Sequence, residues 1–410
     1  MSLNDDPLVA QVPARNRAPA APPSRRRTSS GWRTRLPVSG PLLTAPERVS
    51  RPKVARDWFP TTVDGHELDR AHGDLVFERV PYDPDRWETI LQRYPDAEVF
   101  HGSAWLAFLA ASQQAEPVVA VLRADGRPVG HFVGAIVRRY GVRILGSPLR
   151  GWGTERMGFL LEPGIDRRAA ARALLPFAFG ALRCFHVEMA DRHLTAEQMV
   201  GLGYSMDPYV THVVDLNATE DEILARMHPK TRQHIRQAIR AGLQTEVVTD
   251  LDFAAEYYEQ LRYVFTRQGL VPTYGSDRVR QLAEALQPAG QVLLLRVRGV
   301  DGESLSTGVV VARHETAVIW GTASFHNRSR SHPTQLLWWE AMRYWRARGV
   351  LRFELGGGGE HMAQYGGAVT PSMRFYHSRF AAMDYGRDLI RRVLLIRQIV
   401  SGLLAARKER

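Results

Sequence analysis

Glu354 stands one leucine ahead of four consecutive glycines, Gly356, Gly357, Gly358 and Gly359, which are followed by Glu360, His361 and Tyr365. A glycine run lets backbone approach a ligand closely, and its amides can stabilise an oxyanion. A carboxylate at its threshold can order those amides or accept a proton. Glu360 and His361 are acid/base or binding groups by position, and Tyr365 is a hydroxyl donor. The plainer alternative is a glycine loop with hydrated side chains. A second group is Lys230, Arg232, Arg236 and Arg240. With no acid between Lys230 and Gln244, the three arginines at four-residue spacing make either a rail for phosphates or a solvated charged face. A third is Trp152, Thr154 and Glu155 in Arg-Gly-Trp-Gly-Thr-Glu, which suits a cleft, though Trp152 equally suits a core. His332 and Arg374 complete the binding candidates. No His/Cys/Asp cluster has metal-ligand spacing and no Gly-x-Ser-x-Gly elbow occurs, so neither a metal nor a serine nucleophile is expected. Cys184, the one cysteine, lies in an apolar run and reads as a small buried thiol.

The elements that must position these residues follow from periodicity. Pro333 fits the first position of a helix over 334–348 with a largely apolar stripe, Gly349 stops it, and a strand over 350–355 leads into the glycines. The arginine stripe rides a helix opened by Pro229, behind a capping box at Thr219 and Glu222. The first half reads as a strand at 75–80, helices at 84–93 and 103–112, and strands at 117–123 and 129–138 joined by an Asp-Gly hairpin. Strands at 142–146 and 157–161, a helix at 166–182, a strand at 184–189, a short helix at 195–201 and a strand at 211–215 follow. A similar order returns with helices at 253–268 and 277–286, strands at 291–298, 305–312 and 317–322, and a last strand at 373–380. The recurrence predicts an internal duplication with its seam near Leu216.

The segment RSRSHPTQLLWWEAMRYWRARGVLRFELGGGG at 328–359, with HPKTRQHIRQAIRAG at 228–242 and WETILQRYPDAEVFHGSAWLAFL in the first half, carries a resemblance. Over about residues 75–380 the chain resembles the Fem-type peptidoglycan bridge aminoacyl transferases and their acetyltransferase-like relatives in the GNAT superfamily. The resemblance implies an α/β (α+β) chain of two tandem GNAT-like domains, 57–215 and a catalytic 216–385, each a mixed, mostly antiparallel sheet flanked by helices. It implies amide formation between an activated acyl group and an acceptor amine, with Glu354 as the proton acceptor and Gly356–Gly359 holding the oxyanion. Acyl-CoA or aminoacyl-tRNA would be the co-substrate, with no tightly bound cofactor. The acceptor would be a small-molecule, lipid-linked or nucleotide-linked amine, including cell-envelope or polysaccharide precursors, and tRNA would be a partner of the Fem type. Two departures stand out. Where tRNA-using members carry Phe-Lys before Phe-Gly-Gly, this chain reads His361-Met-Ala-Gln-Tyr365-Gly-Gly, leaving His361 or Arg374 to supply a cation. The acetyltransferase pyrophosphate loop corresponds to Arg328-Ser-Arg-Ser-His-Pro333, which has no glycine and ends on a residue with no amide proton.

The net charge of +11 looks like a nucleic-acid binder until it is located. Residues 1–56 hold eleven Arg or Lys against three acids, and residues 386–410 hold seven against two, so the rest of the chain carries −2. The first stretch reads as a disordered basic tail. The second reads as a basic amphipathic helix that either docks on its own domain or, through 387–410, lies on the inner face of an anionic membrane. With no secretory h-region and no apolar run able to span a bilayer, cytoplasmic residence is expected. A noncatalytic membrane-associated scaffold keeping the fold is the alternative function.

Overall fold

The computed structural model describes residues 75–139, 141–325, 331–356 and 360–380, so the tail 1–56, the segment 386–410, Gly357, Gly358 and Gly359 lie outside the described residues. The first half runs β1 Leu75–Val80, α1 Pro84–Leu91, α2 Ser103–Gln113, β2 Glu116–Ala124, β3 Arg127–Arg139, β4 Val142–Ser147, β5 Gly158–Leu161, α3 Arg167–Pro176, β6 His186–Met189, α4 Ala196–Met199 and β7 Ser205–Asp215. Two connecting helices follow, α5 Glu220–Arg226 and α6 Pro229–Arg240. The second half runs β8 Gln244–Val248, α7 Phe253–Arg267, α8 Ser276–Leu286, β9 Val292–Arg298, β10 Ser304–Arg313, β11 Thr316–Ser324, α9 Pro333–Arg346, β12 Arg352–Glu354, a 3-10 turn Glu360–Tyr365 and β13 Ala368–Ser378.

Local chemistry sets many of these boundaries. Asp125 and Gly126 both take positive φ, 49° and 79°, which the tight turn between β2 and β3 requires. Asp83 caps α1 by accepting from the Arg86 amide, and Asp166 caps α3 by accepting from those of Arg168 and Ala169. One strand escaped the sequence reading: β8 is exposed at four of its five residues, so it lacks the alternation that marks a half-buried strand.

The halves repeat one topology inside one sheet, ordered β1-β2-β3-β4-β6-β13-β7-β12-β11-β10-β9-β8, with β5 pairing β3 off that path. In each half four antiparallel strands are followed by a parallel fifth, β4 to β6 and β11 to β12. The final strands are exchanged: β13 pairs β6 of the first half, β7 pairs β12 of the second, and the two pair with each other. Both are eleven residues long, reaching further than the expected 211–215 and starting earlier than the expected 373–380. Trp105 and Phe108 of α2, Val279 and Leu282 of α8, and Trp320 of β11 share one core spanning both halves, while α9 packs a second core on the other face around Trp338 and Phe353. Each large apolar side chain buried there contributes about 1.5–3 kcal/mol.

Candidate active site where β11 and β12 part

β11 and β12 stay in parallel register for three residue pairs, ending at Val318 opposite Glu354, after which β12 stops and β11 runs on to Ser324. On its other side β11 has a bulge: Val309 faces Gly321 and Val310 faces Ile319, leaving Trp320 as the extra residue. Bulges re-aim side chains beside functional sites. The Trp320 indole is 2 % exposed, and its N–H has no hydrogen-bond partner among the described residues. Gly356, at φ 74°, turns the chain away from β12, and a Cβ there would sit 3.9 Å from the Ile319 carbonyl oxygen. Backbone groups of β11 beyond Val318 alternate toward the side β12 has left, which suits them to an incoming acyl group.

The wall opposite comes from the first half, in the loop 148–157. Glu155 Oε1 lies 3.8 Å from the position of a Cβ on Gly356. The Glu155 side chain is buried, its main-chain carbonyl accepts from Tyr209 Oη at 3.2 Å, and no hydrogen bond reaches its carboxylate among the described residues. Burial pushes this carboxyl above its ordinary value; Arg156 and Arg374 oppose the rise, Glu354 and Glu98 add to it. A buried carboxyl raised in this way is suited to exchange a proton. Trp152 is 3 % exposed and covers Gly146, so it is a wall of the shared core; Thr154 accepts from the Trp105 indole at 3.1 Å.

Glu354 is placed differently from the role the resemblance implied. It is 1 % exposed and sits in a quartet of which Arg192 alone is half-buried: Arg156 pairs with Glu98 at 2.9 Å and with Glu354 at 2.5 Å, and Arg192 pairs with Glu98 and, at 3.3 Å, with Glu354. Both guanidiniums reach Glu354 through its Oε1, and what this carboxylate does is bind the end of β12 to the first half. Tyr365 belongs to the second core, its ring 4.6 Å from that of Trp338, and burial drives its phenol far up, which suits packing rather than proton donation.

The remaining candidates scatter around this centre. Arg232 donates to the carbonyls of Leu224, Ala225 and Met227, closing the C-terminus of α5, so the expected rail loses its first member. Lys230, Arg236 and Arg240 are exposed on α6. His332 precedes α9 at φ 58° and stacks on His234 of α6 with ring centroids 3.6 Å apart; burial and Lys230 hold its imidazole below the ordinary value. His361 is half-buried beside His212, and its Nε2 has no partner among the described residues; burial first and His212 second hold its value down. Arg374 is tied to Glu188 at 3.3 Å and to the Pro148 carbonyl. The structure thus brings Glu155 and Gly356 together beside the end of β12, with Glu354 in a buried ion-pair group and Trp152 in the shared core. It leaves the α6 cations, His332 and Tyr365 elsewhere, while Gly357, Gly358 and the Glu360 side chain lie outside the described residues. Arg156, Arg192, Arg278 and Trp320 were not singled out by sequence, because each acts through a partner distant along the chain.

Residues 229–365 match the acetyltransferase (GNAT) domain family. Residues 229–365 thus carry a GNAT domain, and the fold of the described residues is similar to that of FemX. FemX is similar in structure, at TM-score 0.57 and 11 % identity, over 72 % of this chain and 96 % of FemX. A tandem GNAT protein from the clavulanic acid biosynthesis pathway aligns at TM-score 0.49 and 16 % identity, covering 75 % of this chain and 99 % of its own. The L-PGS of Bacillus licheniformis aligns at TM-score 0.45 and 12 % identity, over 77 % and 96 % respectively. No curated protein sequence matches. The GNAT domain starts within the connecting helices and ends at Tyr365, so it contains β11, β12 and the parting between them. Among the described residues no helix is long and apolar enough to cross a membrane.

Proposed function

We propose that this GNAT acyltransferase fold joins an activated acyl group to an acceptor amine at the parting of β11 and β12. The observation that carries the reading is the bulged end of β11 beyond the last pair with β12, beside Glu155 and Gly356. The acyl carbonyl lies against the β11 backbone. The amine nitrogen forms the new C–N bond, the C–S or C–O bond to the donor breaks, and the proton leaves the nitrogen for Glu155 and passes to the departing thiolate or alkoxide. Gains come chiefly from positioning and from backbone dipoles aimed at the oxyanion.

The donor is acyl-CoA or aminoacyl-tRNA. Both bring phosphates, and Lys230, Arg236 and Arg240 on α6, which packs beside the start of α9, are the cations on offer. An amine on a cell-envelope or polysaccharide precursor is the acceptor that fold analogy suggests, and contact of 387–410 with an anionic membrane would bring a lipid-linked one within reach. The test is transfer by the full chain from radiolabelled acetyl-CoA and from charged tRNA onto a panel of amines. Transfer from one donor, lost on Glu155→Gln, supports the proposal. Absence of transfer from both, with vesicle binding retained, would favour a noncatalytic membrane scaffold.

A further inference from the structure

Arg278, in the first turn of α8, has the surroundings of a charge that awaits a partner. Its guanidinium lies 5.4 Å from the ring centroid of Tyr274, 5.9 Å from Phe108 and 6.0 Å from Trp320. Among the described residues it makes one side-chain hydrogen bond, from its NH2 nitrogen to the Gly151 carbonyl at 3.1 Å, and no ion pair; its Nε is buried without a partner. Nothing local asks for a cation here, because the first turn of a helix favours negative charge. Arg278 is half-buried, and a cation drawn partly out of water is normally paired, since an aromatic bed alone compensates only in part.

Its position gives the missing partner a place. A Cβ on Gly153, at φ 66°, would lie 3.5 Å from the Arg278 NH2 nitrogen and 2.7 Å from the unpartnered Trp320 Nε1, so only a glycine lets the loop pass here. Glu155 is two residues further on, no more than about 7 Å of extended backbone away. Arg278 and Glu155 therefore lie along one stretch of the loop 148–157, the cation against Gly153 and the carboxylate against Gly356.

We infer that Arg278 binds a carboxylate of the acceptor, so that the amine substrate is an amino acid or short peptide whose amine faces Glu155. This rests on the acyltransferase reading for the amine's role, but the binding itself is independent of turnover. The guanidinium fork offers paired donors to the carboxylate, and the aromatic bed holds its plane. Burial holds the Arg278 value below the ordinary one, with no carboxylate opposing it, consistent with a charge whose partner arrives from outside.

The probe is L-alanyl-L-alanine against its C-terminal amide, titrated into the full chain at fixed salt and followed by tryptophan fluorescence. The expected result is about tenfold or more tighter binding of the acid than the amide, a preference erased by Arg278→Gln and partly kept by Arg278→Lys. Arg278→Gln should leave the melting temperature unchanged or raised, since a half-buried charge without an ion pair is removed. No saturable binding of the acid, equal binding of acid and amide, or an unchanged preference in Arg278→Gln would each overturn the inference. So would an equal loss for both probes with a lower melting temperature, which would make Arg278 a prop for the loop. Discrimination without transfer to any amine would sink the acyltransferase reading and leave this one standing.

Discussion

The two halves build the same strand junction and use it in opposite ways. Where β4 and β6 run parallel, the first half closes its own gap. Ala190 donates to Ser147, Met157 donates to Ala190, and Leu149 and Trp152 lie over Gly146, where a Cβ would come within 2.4 Å of Leu149. Its helix α3 is sealed by the Asp166 carboxylate. Where β11 and β12 run parallel, no such loop folds back among the described residues, Trp320 is bulged, and α9 starts at His332 without a side-chain cap. The loop that fills the first junction is the one that delivers Gly153 and Glu155 to the second. One copy became the wall of the other.

That contrast is broken most sharply at Glu155. Glu155→Gln is expected to lower kcat by about 10²–10⁴-fold, with little change in donor KM. Its stability effect has a defined sign. The folded-state value is raised, so the folded chain holds this proton more tightly than the unfolded one. The stabilising contribution is complete below the unfolded value and is lost as pH rises through the folded value. The melting temperature of Glu155→Gln relative to the parent should therefore climb from acid toward neutral pH; a flat difference would place the carboxylate in an ordinary environment.

Matched glycine substitutions sharpen the comparison. Gly356→Ala should cut kcat/KM on the order of ten- to a hundredfold by moving the chain at positive φ beside the acyl path. Gly146→Ala should instead overpack a filled junction, costing about 1–3 kcal/mol in urea melts and lowering activity per folded molecule less than Gly356→Ala does. Glu354→Gln should cost about 3–5 kcal/mol by stranding buried guanidiniums, and turnover assayed far below its melting temperature should fall much less than for Glu155→Gln. The smallest effects belong to α6. Arg232→Gln should lose about 1 kcal/mol with its carbonyl bonds, whereas Arg236→Gln and Arg240→Gln should stay within about 0.5 kcal/mol of the parent and raise KM for a polyanionic donor only at low salt.

Much of this architecture is legible in the sequence because it is local. The Asp125-Gly126 hairpin, the capping box at Thr219 and Pro333 at a helix start are all signalled within a few residues, and the repeated order of elements follows from periodicity. What periodicity cannot carry is pairing at long range. Arg156 and Glu354 meet across 198 positions, so a carboxylate read as a proton acceptor proves to be half of a buried ion pair. Arg232 has the spacing of a rail and the geometry of a cap, a distinction decided by the carbonyls of the preceding helix. The bulge at Trp320 exists only relative to β10, and the lack of an ion pair for Arg278 among the described residues is a property of its neighbours.

The exchange of β7 and β13 has a consequence for synthesis on the ribosome. β6 borders β4 and β13, and β7 borders β12 and β13, so β6 lacks one neighbour and β7 both until about the last residues of the described fold have emerged. Through most of translation the first half must wait with an open strand edge, a state prone to pairing with other chains. A nascent chain stalled before Ala368 should bind chaperones and show protease sensitivity in 186–215, and a chain stalled well beyond Ser378 should be protected there. Completion of the two halves is a single late event, and the first of them to be made is not the first to be finished.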